Sequence, residues 1–156
     1  QEWHSLDRNA ILTGLMTSFS SYSDTDSRPD VEKVLKYSGD ASDIIRRADI
    51  KREVAVFRFQ SATTDYLIED DKPTELSQAW DILIYVEQGD SHSIKEARYD
   101  RMLELTDQVM DWGTTVSPED IDANLYTITL TGTTPTIELD GYISTTLSFN
   151  SKIKLQ

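Results

Sequence analysis

The sequence predicts an α+β fold: a single domain with an antiparallel or mixed β-sheet and two helices packed on it, in the order α-β-β-α-β-β. Two observations point there. Apolar residues recur at helical spacing near the start and again between Ser93 and Gly113, and they alternate with period two in the segments after Glu53. The two kinds of segment are interleaved, so helices must cover a sheet. A length of 156 residues suits one domain that buries its own core, taken here as 1–156 with a flexible arm at 20–52.

In the first helix, Leu12, Leu15, Met16 and Phe19 fall on one face with Ile11 beside them, and Ser5 is placed to cap it. From Ser20 to Pro29 the composition turns to Ser, Asp and Thr, which predicts a loop. Asp24, Asp26 and Asp30 resemble the opening of a calcium loop. However, Pro29 stands where that loop needs glycine and Leu35 where it needs a bidentate Glu, so no metal is expected. Val31–Leu35 and Ser42–Ala48 could each form a short helix around a Ser38-Gly39 turn, but both are brief, and the region is read as a flexible arm. Arg46, Arg47, Lys51 and Arg52 place four of the fifteen basic residues within seven positions. They are a candidate protein-protein interface, or else a solvated face paired with Asp43, Asp49 and Glu53.

Val54–Gln60 opens the sheet, with Val54, Val56 and Arg58 on one face and Ala55, Phe57 and Phe59 on the other. Its partner is Ala79–Glu87, where Trp80, Ile82, Ile84 and Val86 share a face. Glu69, Asp70, Asp71, Lys72 and Pro73 predict a long, charged hairpin loop between the two strands. Ser93 and Glu96 have the spacing of a capping box, and Gly113 stands where a left-handed residue would end the second helix. Between them Tyr99, Met102, Leu103, Leu105, Val109, Met110 and Trp112 form the apolar stripe, and Gln108 is assigned to solvent. After Ser117-Pro118, alternation resumes at Tyr126, Ile128 and Leu130 and turns at Gly132 and Pro135. A return strand then carries Ile137, Leu139, Gly141, Ile143, Thr145, Leu147 and Phe149 on one face, and Tyr142, Ser144, Thr146 and Ser148 on an uncharged polar one.

Fifteen basic against twenty-eight acidic residues give a formal charge of -13, which disfavours coating nucleic acid or an anionic membrane. It is compatible with a pore through which DNA slides, because walls that repel phosphate do not retain it. There is no cysteine, so thiol catalysis and disulfides are excluded. No stretch approaches the roughly 18 apolar residues of a membrane helix, and the start lacks the features of a signal peptide; a soluble protein made in the cytosol is expected. His4, near the start, and His92, in a loop before the second helix, are the only histidines. No phosphate loop, nucleophile elbow or zinc-protease motif is present. The residues thus predict neither catalysis nor a cofactor.

Several segments together resemble a family: Arg47-Ala-Asp-Ile-Lys-Arg-Glu-Val-Ala-Val-Phe leading into the first strand, the acidic hairpin, Trp80-Asp-Ile-Leu-Ile-Tyr-Val, the helix after it and the closing hairpin. In order and patterning they resemble the tail terminator proteins of long-tailed (siphovirus-type) bacteriophages over nearly the whole chain, without a short diagnostic motif. The resemblance implies a structural virion protein, assembled in the host cytoplasm and located at the head-proximal end of the tail. It would form a six-fold ring on the tail-tube protein, stop tube polymerisation and offer its other face to a head-completion or connector protein. DNA would pass through without being specifically bound, and no membrane is involved. Glu69, Asp70 and Asp71 are candidate acidic residues of the lumen. The alternatives are a head-completion, connector or tail-tube protein and, from another class, a small cytosolic binding module or enzyme.

Overall fold

Asp7 begins the first helix: its Oδ1 accepts the N–H of Ala10 at 3.0 Å, satisfying a donor that the first turn leaves free. The computed structural model describes residues 6–25, 31–39, 52–66 and 73–155, so the expected cap Ser5 lies outside the described residues. Helix α1 (Arg8–Thr25) buries Ile11, Leu12, Leu15 and Phe19, as their spacing predicts. It also runs through Ser20–Thr25, where composition predicts a loop. Tertiary contact outweighs weak helix propensity there: Trp112 Nε1 donates to Ser18 Oγ at 3.1 Å, and Tyr22 packs on the core.

The segment around Val31–Leu35, brief for a helix, instead carries strand β1 (Val34–Lys36), parallel to the next strand through Val34–Ala55 and Lys36–Phe57. So short a segment cannot offset the cost of helix nucleation, whereas one sheet partner satisfies its backbone. Within the expected arm, the chain is thus helical to Thr25 and forms β1 at Val34–Lys36, while Ser42–Ala48 lies outside the described residues.

Strands β2 (Glu53–Tyr66) and β3 (Pro73–Glu87) are antiparallel and paired out to Tyr66–Pro73. Their connection is therefore 67–72, much shorter than the loop expected between Gln60 and Ala79. The sequence there lacks clean alternation because β2 bulges between Phe59 and Ala62. The buried Gln78 amide fills the irregularity, donating to the carbonyls of Gln60 at 3.0 Å and Ala79 at 2.8 Å.

Helix α2 (His92–Thr115) is capped by Ser91 rather than Ser93: Ser91 Oγ accepts the Ile94 N–H at 3.3 Å. His92 is the helix's first residue, not part of a preceding loop, and pairs with Glu96 at 2.7 Å. Gly113 does not end the helix. It lies buried within it, and a Cβ there would come 2.7 Å from a Phe149 ring carbon, so glycine lets α2 press directly on the sheet. Met102, Leu105, Val109 and Trp112 are buried, but Tyr99 and Leu103 are 47% and 45% exposed, while Gln108, assigned to solvent, is buried. The apolar stripe is narrower than the composition of the helix suggests.

A short helix, α3 (Pro118–Ile121), leads to β4 (Thr129–Thr133), β5 (Ile137–Leu139) and β6 (Tyr142–Lys154). The predicted return strand from Ile137 is in fact the β5–β6 hairpin. Asp140 and Gly141 turn it, with φ of 36° and 86°, values that a tight Asp-Gly turn requires. The six-stranded sheet has the order β1-β2-β3-β6-β4, with β5 also on β6.

All described helices pack on one face, over a cluster of Phe19, Phe57, Trp80, Trp112 and Phe149. Trp80 and Phe149 stack at 4.4 Å, and Phe19 meets Trp112 edge-on at 5.6 Å. The molecule is thus a single α+β domain with a mixed sheet.

Candidate functional site

The face of the sheet without a described helix holds a smaller apolar cluster, Val54, Val56, Leu83 and Tyr85, flanked by Leu35, Leu139 and Tyr142. Beside it lies a polar constellation placed by pairing alone. Arg58 and Asp81 stand opposite each other on β2 and β3, with Arg58 Nη2 at 2.6 Å from Asp81 Oδ2. Gln60 Nε2 donates to the same oxygen at 2.7 Å, and the Arg58 guanidinium lies 5.3 Å from the Tyr37 ring centre. One carboxylate shared by two donors, beside an aromatic ring, holds this part of the face in a fixed shape. On the same face the hydroxyl of Tyr142 is pushed above its ordinary value of 10.0, by burial first and then by the carboxylates of Glu87 and Glu32.

A second constellation ties the end of β2 to α2. Arg101 grips Glu53 with two bonds, Nε to Oε2 at 2.8 Å and Nη2 to Oε1 at 2.6 Å, and also pairs with Glu104. Glu53 Oε1 further accepts the N–H of Glu32 at 3.2 Å, so one buried carboxylate joins the chain before β1, β2 and α2. Its hydrogen bond is the main reason that the Arg101 guanidinium is held above its usual value, against the opposing effect of burial. Spacing could not have revealed either constellation. Partners 23 and 48 residues apart meet only through strand register and helix docking.

Among the described residues, surface clefts include two beside the helices. One of about 540 Å³ lies between α1 and α3, from Ala10 and Gly14 to Asp120 and Ile121. The other, about 640 Å³, runs between the end of α2 and the stretch Tyr126–Leu130, and every residue lining it is uncharged. That neutrality is local to this region. No charged residue occurs between Asp122 and Glu138, in a chain whose net charge is -13. Neither cleft gathers acid, base and nucleophile, and no group of metal-ligating side chains occurs among the described residues. No described helix is long and apolar enough to cross a membrane.

Of the candidate interface residues, Arg52 is exposed at the entrance to β2, with its backbone N–H 3.4 Å from Glu32 Oε1. Arg46, Arg47 and Lys51 lie outside the described residues, as do Glu69, Asp70 and Asp71. The predicted clusters are therefore not brought into any described site. No protein-family model matches the chain, and no curated protein matches it.

Proposed function

We propose that this chain is a structural subunit of a phage tail of the terminator type. Copies form a ring, six-fold in this reading, on the last ring of the tail tube, end its polymerisation and present the opposite surface to the head. The observation that carries the proposal is the layering of the fold: the interleaved order of helices and strands makes one sheet with every described helix on the same face. Such a subunit has two unlike faces and two unlike sheet edges, and a head-to-tail contact between unlike surfaces closes into a ring when the rotation permits. The acidic net charge fits a bore that DNA traverses without being retained.

The test is a null mutation in the phage that encodes the chain. DNA-filled heads, unjoined tails and tails of irregular or excessive length are expected by electron microscopy. Tails of normal length, with the defect confined to the head vertex, would move the protein to head completion and end the terminator reading.

A further inference from the structure

We infer that subunits of the ring join edge to edge, the Tyr126–Leu130 stretch of one copy pairing with the Gln60–Asp65 stretch of β2 in the next. The inference rests on the ring reading above and adds the contact that builds it.

Strand sense supports this pairing. β3 runs antiparallel to β2, β6 to β3, and β4 to β6, so β4 and β2 run in opposite directions. Where the strands run along the ring axis, rotation about it keeps their sense, and β4 of one copy then meets β2 of the next as an antiparallel pair.

Height along the strands agrees as well. Ala62 lies level with Gln78 and Ser151, while Thr129 lies level with Asn150, one residue away. The two stretches thus stand at matching heights on opposite edges of one sheet, and little axial shift is needed to join them.

Among the described residues, both edges also remain open. β4 ends the strand order, and β1 covers β2 only at Ala55–Phe57, leaving Gln60–Asp65 exposed with no described strand beside it. An edge strand turns every second N–H and C=O away from its sheet, and proteins usually block such rows with charges. Here the run between Asp122 and Glu138 carries none, and the β2 stretch carries none until Asp65 at its far end. In so acidic a chain, two copies repel wherever carboxylates face each other, so neutral edges are where a second copy can approach. The uncharged cleft beside Tyr126–Leu130 gives an added strand room for its side chains. By contrast, the edge formed by β1 is three residues long, follows Lys33 and ends in Lys36.

Because the chain has no cysteine, disulfide trapping tests the contact directly. Thr129→Cys is combined in turn with Ser61→Cys, Ala62→Cys and Thr63→Cys, and each purified protein is oxidised and run without reductant. Strands adjacent across the interface bring Cα atoms within the roughly 7 Å that a disulfide needs. At least one double variant should give a ladder beyond the dimer, with a crosslinked fraction about tenfold or more above either single variant, as proximity raises the effective concentration. If all three double variants remain monomeric, the inference fails. Dimers formed efficiently by Thr129→Cys alone would also overturn it, since they would show two-fold pairing of like edges. Rings seen by electron microscopy that cannot be trapped would leave the ring reading standing and sink this contact. A ladder from protein that fails to join tails would do the reverse.

Discussion

The two faces of the sheet are built from the same strands yet hold together differently. On the helix-covered face, aromatic rings from α1, β2, β3, α2 and β6 close on one another, and Gly113 lets α2 approach Phe149 without an intervening side chain. On the other face, four buried side chains form a small cluster, and a shared carboxylate on Asp81 takes over where apolar contact ends. The first arrangement concentrates stability in large contacts that no single strand supplies. The second depends on cross-strand neighbours, so it fixes a surface more than it anchors the fold.

The largest expected effect lies on the covered face. Trp112→Ala removes a ring touching Phe19, Phe57, Trp80 and Phe149 and should cost about 3–5 kcal/mol in urea unfolding. A loss below about 1 kcal/mol would mean that the aromatic cluster is not the centre of stability.

A smaller effect is expected opposite. Asp81→Ala leaves Arg58 and Gln60 without their shared acceptor and should cost about 1–2 kcal/mol, less than a fully buried pair because the Arg58 side chain is 28% exposed. Equal costs for the two variants would erase the contrast between the faces.

The smallest effect is a pH dependence. The Tyr142 hydroxyl is held above its ordinary value in the folded chain, so the folded state keeps its proton longer than the unfolded state does. Stability from this group is intact below the ordinary tyrosine range and declines as pH rises through it toward the raised value. Urea midpoints measured between about pH 9 and about pH 11 should fall more steeply for the wild type than for Tyr142→Phe. Parallel curves would show that Tyr142 is not perturbed by folding.

Much of this contrast was legible in the sequence, but unevenly. Alternation at Trp80, Ile82, Ile84 and Val86 placed β3 and its covered face, and helical spacing from Ile11 to Phe19 placed the buried side of α1. Where the pattern was weak, tertiary contact decided. The end of α1 is helical against its composition, and β1 is a strand because β2 lies beside it. The Asp140-Gly141 turn did carry a local signal, an Asp-Gly pair between apolar residues, which the continuing alternation on either side obscured. The polar features could not be read at all. Arg58 with Asp81, and Glu53 with Arg101, look in sequence like any other charges of a heavily charged chain; register and helix docking alone make them partners.

The stacked and edge-on rings of the covered face also have an optical consequence. Trp80 and Trp112 lie 6.1 Å apart at 73°, close enough for their electronic transitions to couple, and both are buried. Their indoles therefore act as a built-in gauge of the helix-to-sheet junction: circular dichroism from the coupled pair should vanish when α2 lifts from β3. Joining copies along their edges would leave the signal unchanged, so one spectrum separates assembly from unfolding.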